Sequence, residues 1–272
     1  MFNFKIINIL KYKIVRIVES NPTLNLLIYN NIRYFKFLLP HEKDYLGMKK
    51  ICKNRVNEAI IDVGANLGIS TMGFRQMGFK NKIFIFEPNP EIFKKYLVPI
   101  KKKYKNITLK NIALGHKNES KELFTPYYKK KPVHYFGSFD KKYIINSIKI
   151  TFPKLINQIK LKKKIINISK FDDLNLKCKP HFIKIDVEGY DHYVVEGLIK
   201  TIEKYKPIFL IEYNKENFFK IKKYLKKYVC YIYDLNSDEL IKFKKEWFRT
   251  RISRSNKKNL LSSRNIYFVP KW

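Results

Sequence analysis

An α/β fold, with a mainly parallel sheet and helices on both faces, is predicted by three observations. Short apolar runs alternate along the chain with stretches of helical spacing. Three of those runs end in an acidic residue: Asp62, Glu87 and Asp186. The first continues into Gly64-Ala65-Asn66-Leu67-Gly68, a turn whose glycines let backbone N–H groups approach a ligand without a Cβ in the way. Ligands of open α/β sheets bind at the carboxyl ends of the strands, so the three acids mark one candidate edge.

Taken in order, Tyr45 to Val56 read as a helix with Leu46, Ile51 and Cys52 inward, and a first strand follows at 59–63. A helix from Ser70 leads to a second strand that closes at Phe86. Pro90 suits a first helical position, where a missing N–H costs nothing, and Ile92, Phe93, Tyr96, Leu97 and Ile100 then share a buried face. A third strand spans Ile107 to Ile112, and a fourth ends at Asp186. Tyr193, Val194, Leu198 and Ile202 mark the next helix, Ile208 to Tyr213 a fifth strand, and Phe218, Ile221, Leu225 and Tyr228 another helix. Tyr228 to Tyr233 and Ile266 to Val269 finish the sheet as an antiparallel hairpin pair.

The chain has 272 residues, of which 45% are hydrophobic, enough for one large core. Residues 1–56 are expected to form a helical extension packed on a domain at 57–272, which carries a long insertion around 115–180. At the start, Ile6, Ile7, Leu10, Ile14, Ile17 and Val18 fall near helical spacing, interrupted by Lys5, Lys11, Lys13 and Arg16. That is too charged to span a membrane and lacks the unbroken apolar core of a signal peptide. The helix is expected to pack on the domain; the alternative is peripheral contact with an anionic membrane. Three isolated cysteines suggest neither a disulfide framework nor zinc, and a cytoplasmic location fits.

The net charge of +34 invites a nucleic-acid reading. Yet only eight of the 57 basic residues are Arg, and none lies between Arg75 and Arg249, whereas phosphate and base readout leans on Arg forks. A lysine excess beside abundant Ile, Asn, Tyr and Phe is what an AT-rich coding sequence produces, so no specific nucleic-acid partner is expected. Arg249, Arg251, Arg254 and Arg264 form the one local Arg cluster, a clamp for phosphate or carboxylate or else a solvated loop. The run Tyr127, Tyr128, His134, Tyr135, Phe136, Gly137, Ser138 and Phe139 sets aromatic faces beside polar groups and suits stacking on sugar rings, or a small extra core over the sheet edge.

The spacing Gly64-x-x-x-Gly68 leaves a pyrophosphate cradle incomplete. Glu87, nineteen residues past Gly68, stands where a carboxylate accepts hydrogen bonds from ribose hydroxyls. Asp62 and Asn66 suit a zwitterionic amino-acid moiety and a sulfonium, which with a ribose describe S-adenosylmethionine.

Ile61-Asp62-Val63-Gly64-Ala65-Asn66-Leu67-Gly68, Glu87-Pro88-Asn89-Pro90, Asn111-Ile112-Ala113-Leu114 and Lys184-Ile185-Asp186-Val187-Glu188-Gly189-Tyr190-Asp191 resemble, in this order, the FkbM-type family of S-adenosylmethionine-dependent methyltransferases. The resemblance spans roughly residues 57 to 270. It implies a Rossmann-like class I methyltransferase fold, with a seven-stranded sheet and an antiparallel last strand. It also implies O-methylation, often of sugar units in cell-surface glycans. The cofactor-binding residues it implies are Asp62, Gly64, Asn66, Gly68, Glu87, Asn89 and Ala113. Asp191 departs from the pattern, being shorter than the acid usual there, as does the long lysine-rich insertion.

Methyl transfer to a hydroxyl requires alignment of the oxygen and removal of its proton, and Asp186 and Glu188 are placed for those roles. No metal is expected; the alternative is magnesium held by Asp186, Glu212 and Asn214. The expected partner is a small-molecule or glycan hydroxyl. An RNA methyltransferase and a non-catalytic Rossmann-like binding module are the alternatives. The first lacks support in Ile185-Asp186-Val187-Glu188, which is neither an N-P-P-[YF] loop nor a catalytic cysteine. The second would be expected to have lost Asp62, Gly64, Gly68 or Glu87. Nothing in the sequence specifies an oligomeric state.

Overall fold

The computed structural model describes residues 39–52, 55–244 and 265–271, with Leu10, Leu24, Asn31 and Tyr34 besides. Apart from Leu10, the expected helix of residues 1–20 lies outside the described residues, and so does the cluster Arg249, Arg251, Arg254 and Arg264.

Strand β1 (Ala59–Val63) is buried along its whole length, as befits a central parallel strand, and it carries Asp62 within it. It pairs in parallel with β2 (Lys82–Phe86), which pairs with β3 (Ile107–Lys110). On the other side it meets β8 (Pro180–Ile185), and beyond that β9 (Ile208–Glu212), again in parallel. The sheet is completed by antiparallel strands: β12 (Asn265–Pro270) lies between β9 and β10 (Tyr228–Asp234), and β10 also pairs with β11 (Glu239–Lys242). The order is β11-β10-β12-β9-β8-β1-β2-β3. This is the Rossmann-like α/β architecture with an antiparallel last strand.

The sheet has eight strands rather than the expected seven. The additional one, β11, is short and largely exposed, so burial imposes no readable pattern on its Glu-Leu-Ile-Lys. Its hairpin is closed by Asp234, whose carboxylate accepts from the Ser237 N–H and hydroxyl at 2.9 and 2.8 Å. β10 and β12 do pair antiparallel, but the hairpin partner of β10 is β11.

Two-residue periodicity divides the core between the two faces of the sheet. Ile60, Ile83, Ile85, Phe182 and Leu210 pack on one side with α1 (Met48–Ile51), α2 (Ile69–Gln76), α3 (Pro90–Ile92) and α4 (Val98–Lys103). Ile61, Val63, Phe84, Ile183 and Phe209 pack on the other with residues of α6 (Asp191–Glu196), α7 (Ile199–Tyr205) and α8 (Lys215–Tyr224). A π turn, Phe93–Leu97, joins α3 to α4 just before Pro99, which has no N–H for the helical ladder.

Two expected elements are shorter. The helix before β1 is a 3₁₀ turn, Lys43–Gly47, followed by α1, which stops at Cys52. Gly47 there lies against Tyr267, whose ring a Cβ would approach to 2.8 Å. β3 ends at Lys110 because the Asn111 side chain donates to the Glu87 and Pro88 carbonyls at 2.8 and 3.1 Å and turns the chain.

Residues 113–169 form a second sheet of β4 (Ala113–Leu114), β5 (Glu119–Tyr128), β6 (Lys131–Pro132) and β7 (Ile159–Ser169), ordered β4-β7-β5-β6. Helix α5 (Lys141–Thr151), capped by Asp140 accepting from the Lys142 N–H at 2.7 Å, packs on it. Phe124, Val133, Phe136, Ile144, Ile148, Phe152 and Leu155 make a small separate core. Phe136 of the aromatic run is spent there, while Phe139 leaves it to pack on Tyr190, ring centroids 5.0 Å apart.

Candidate functional site

The carboxyl ends of β1, β2 and β8 lie side by side, and the turn after β1 is built by close packing. Gly64 and Gly68 have φ of +71° and +75°. A Cβ on Gly64 would lie 2.0 Å from the Asp186 carbonyl oxygen, and one on Gly68 would lie 2.2 Å from the Ile100 side chain. These glycines therefore admit neighbouring protein.

Asp62 points beneath the turn. Its side chain is fully buried, and one carboxylate oxygen accepts from the hydroxyls of Ser70 (2.5 Å) and Thr71 (2.7 Å). The other lies 3.5 Å from Lys184 Nζ. Asp62 thus braces the start of α2 and the buried lysine, and its Oδ1 has no hydrogen-bond partner.

Glu87, also buried, joins two turns: Oε2 accepts the Asn66 N–H and Oε1 the Asn89 N–H, each at 2.9 Å. Burial pushes its carboxyl up to about 7, against the pull of the two amides. The Asn66 backbone is left-handed, with φ +50°, and its Oδ1 is buried without a hydrogen-bond partner. Asn89 caps α3 by accepting the Glu91 N–H at 3.0 Å, so its side chain is committed to the helix. Ala113 is packed in β4 among Leu123, Ile166, Ile168 and Tyr190.

Lys184 is the buried cation of the edge. Its ammonium donates to the Gly64 carbonyl at 2.9 Å and lies 3.5 Å from both Asp62 and Asp186. Burial pulls its pKa down, but Asp186, Asp62 and Glu42 overcome that and hold it above the usual lysine range. Asp186 is anchored by its N–H to the Val63 carbonyl at 3.2 Å, and its side chain is about one-third exposed.

Beyond Asp186 further acids converge. Glu188, with φ +50°, and Glu212 at the end of β9 bring carboxylate oxygens to within 4.8 Å of one another and of Asp186. Asp191, 1% exposed, accepts from the Val187 N–H and the Asn217 amide, both at 3.3 Å. Burial, together with Glu212, Asp186 and Asp191, holds the Glu188 carboxyl well above the usual range. Burial, and then Asp186, pushes Asp191 up to about 7. Asn214 does not join this group in the way the magnesium alternative supposes: its Oδ1 accepts the N–H groups of Glu216 and Asn217 as the cap of α8.

With this geometry in view, the sequence of residues 62–232 matches the family model described as the methyltransferase FkbM domain. The chain belongs to the FkbM methyltransferase domain family. The match begins at Asp62 and takes in the glycine turn, Glu87, the second sheet and the acidic edge. No curated protein matches the chain. Among solved structures, the methyltransferase FkbM from Methylobacillus flagellatus KT is similar at 14% identity and a TM-score of 0.49. That alignment covers 96% of this chain and 58% of the Methylobacillus one, so the chain spans little more than half of that relative's length. The precorrin-6y C5,15-methyltransferase from Geobacter metallireducens GS-15 is similar at 12% identity, 69% and 71% coverage and a TM-score of 0.36. A chain of the fibrillarin/Nop5p complex is similar at 10% identity, 85% and 82% coverage and a TM-score of 0.40. The family assignment rests on residues 62–232 and not on these likenesses.

Two residues of this FkbM domain that bear on the site, Lys184 and Tyr143, were not read from sequence. Lys184 sits in an otherwise apolar strand opposite Asp62, the one signal that could have found it. Ser138 and Tyr143 lie in the insertion, yet both reach the Glu188 turn, the first by donating to the Glu188 carbonyl at 2.8 Å. His181 and His192, on either side of the Lys184–Asp191 segment, are packed: His181 lies 3.3 Å from Glu58, and the His192 ring lies 3.9 Å from that of Tyr193.

Proposed function

We propose that the chain is an S-adenosylmethionine-dependent O-methyltransferase acting on a sugar hydroxyl in a cell-surface glycan or related metabolite. The observation that carries the reading is Glu87. It is a buried carboxylate held by the backbone amides of Asn66 and Asn89 beside the glycine turn, with further lone pairs for ribose hydroxyls. The unpartnered Oδ1 of Asn66 fits a cofactor rich in donors. Gly64 and Gly68 shape the turn, and Asp62 holds it from below. Asn89 contributes its N–H to Glu87, and Ala113 can contribute only through its backbone.

S-Adenosylmethionine supplies a methyl group on a good leaving group, so this chain's residues have to orient a hydroxyl and take its proton. Asp186 is open to an acceptor and anchored by β1. Glu188, its carboxyl held well above the usual carboxylate range by burial and its acidic neighbours, is the stronger base once ionised. The reaction is proposed to need no metal, with Glu212 at the end of β9 orienting the acceptor.

A cytoplasmic location with peripheral contact at the inner face of a membrane, and the absence of a specific nucleic-acid partner, belong to the same proposal. Among the described residues, no helix is long and apolar enough to cross a membrane. Calorimetry with S-adenosylmethionine, followed by transfer of its labelled methyl group to a panel of methyl glycosides read by mass spectrometry, tests the reading. Failure to bind the cofactor would overturn it.

A further inference from the structure

We infer that Lys184 is a positioning residue for Asp186: its ammonium ties the acceptor-facing carboxylate to the glycine turn after β1. The inference rests on the methyltransferase reading, in which Asp186 faces the acceptor hydroxyl. It gives a part in the chemistry to the one lysine that is buried among the described residues.

The strand period puts Lys184 where a core residue is expected. Along β8, Ile183 and Ile185 enter the core on the α6 side and Phe182 the core on the α2 side. Lys184 comes next on the Phe182 side, opposite Asp62 of β1 in the parallel register. An ammonium survives there only with charged and hydrogen-bonding partners. Lys184 has four of them. Nζ donates to the Gly64 carbonyl at 2.9 Å and the Val63 carbonyl at 3.4 Å, and it stands 3.5 Å from Asp62 Oδ1 and from Asp186 Oδ2.

The two carboxylates differ in what else they do. Asp62 is enclosed, its Oδ2 is taken by the Ser70 and Thr71 hydroxyls, and its Oδ1 has the ammonium's charge beside it but no hydrogen bond. That pair roots Lys184 beneath the turn. Asp186 is 32% exposed and meets the same ammonium with one oxygen, which leaves the other for an acceptor. Its backbone is fixed separately, by the N–H donated to the Val63 carbonyl at 3.2 Å and by a carbonyl oxygen that a Cβ on Gly64 would approach to 2.0 Å. With backbone and carboxylate both anchored to the end of β1, Asp186 keeps one direction relative to the turn that shapes the cofactor site. Misplacing a reacting group by about 1 Å costs on the order of 10²-fold in rate, and that is the loss Lys184 prevents.

The test begins with the cofactor-free full chain. Ammonium protons of exposed lysines exchange rapidly with water, whereas Lys184 should give a protected ammonium signal in nitrogen NMR of lysine-labelled protein, identified by its loss in Lys184→Met. Asp186→Asn should shift that signal at constant pH. A parent protein without a protected signal, or a signal unmoved by Asp186→Asn, overturns the inference. Turnover then separates positioning from support of the fold. Lys184→Met should lower kcat by about 10- to 100-fold, with a much smaller change in S-adenosylmethionine affinity by calorimetry. In an Asp186→Asn background the same substitution should cost little more, because nothing is left to position. Equal losses in the two backgrounds overturn the inference. Lys184→Met strands the Asp62 carboxylate, so the comparison is repeated with Asp62→Asn present throughout, which removes the buried charge. A parent protein that binds no S-adenosylmethionine would sink the methyltransferase reading, while the ammonium signal would still report whether Lys184 holds Asp186.

Discussion

The Asn66 amide donates to the Glu87 carboxylate at 2.9 Å, joining the glycine turn after β1 to the acidic turn after β2. With the Asn89 amide on the other oxygen, the two turns behave as one unit whose geometry depends on a single side chain.

Glu87→Ala should therefore weaken S-adenosylmethionine binding by about 1.5–3 kcal/mol, since ribose hydroxyls and two backbone N–H groups lose their acceptor together. Glu87→Gln should also weaken it, because one oxygen becomes an NH₂ that faces a backbone donor. Calorimetry reads both, and unchanged affinity would remove Glu87 from the ribose.

Stability and affinity should respond to pH in opposite senses. Glu87 and Asp191 carry carboxyls raised from 4.5 and 3.8 to about 7, so the folded chain holds protons that the unfolded chain has released. Their contribution is complete below about 4 and is lost as pH rises through 7, on the order of a few kcal/mol per group. Ribose hydroxyls favour ionised Glu87, so cofactor affinity should rise by up to about tenfold per pH unit on approaching 7 from below. Melting curves and calorimetry across pH 5–8 check both slopes, and Glu87→Gln should flatten them.

Gly64→Ala should destabilise the protein more than Gly68→Ala. Both need a positive φ, costing an alanine roughly 1–2 kcal/mol, but the Gly64 methyl meets a backbone carbonyl and the Gly68 methyl a side chain that can rotate. Urea unfolding ranks the two; equal losses would mean that the Asp186 carbonyl yields.

At the acidic edge, Asp186→Asn and Glu188→Gln should leave cofactor binding largely intact, and turnover should fall by about 10²–10⁴ in whichever variant has lost the base. Activity should persist in EDTA. Inactivation by chelation with rescue by magnesium would instead assign Asp186, Glu188 and Glu212 to a cation.

Binding of duplex DNA or structured RNA at low salt should be non-specific and fade steeply as salt rises, as expected of scattered lysines. Gel-shift titrations over a range of salt concentrations measure this. Sequence-selective binding at physiological salt would favour an RNA substrate.

What was legible in the sequence was what burial writes there. β1 and β8 are enclosed on both faces, so they read as mainly apolar runs, and the acids near their ends, Asp62 within β1 and Asp186 just after β8, stand out. β11 is exposed and left no such trace, and β7 carries Lys-rich alternation over a ribbon whose outer side is largely exposed. Lys184 was hidden among many lysines because a buried cation is recognised by its partners, and those come from another strand. Tyr143 is forty-five residues from Glu188, on a helix whose spacing advertises only Ile144 and Ile148 as core. Asp62 and the two glycines were found, but their roles follow from atoms that only packing brings near.

The last strand, β12, occupies the interior of the sheet. Its N-terminal Asn265 binds Asp44, and the Tyr267 hydroxyl donates to the Asp44 carbonyl, so it also fastens the segment before β1. During synthesis the ribosome will have delivered both strands that flank it long before β12 emerges. Until residues 265–270 arrive, β9 and β10 each present one bare edge, although β8 and β11 pair with their other sides. Premature termination upstream of Asn265 would leave a nascent chain whose β10-β11 hairpin is parted from the rest of the sheet and open to strand exchange with its siblings, a natural substrate for chaperones and proteases.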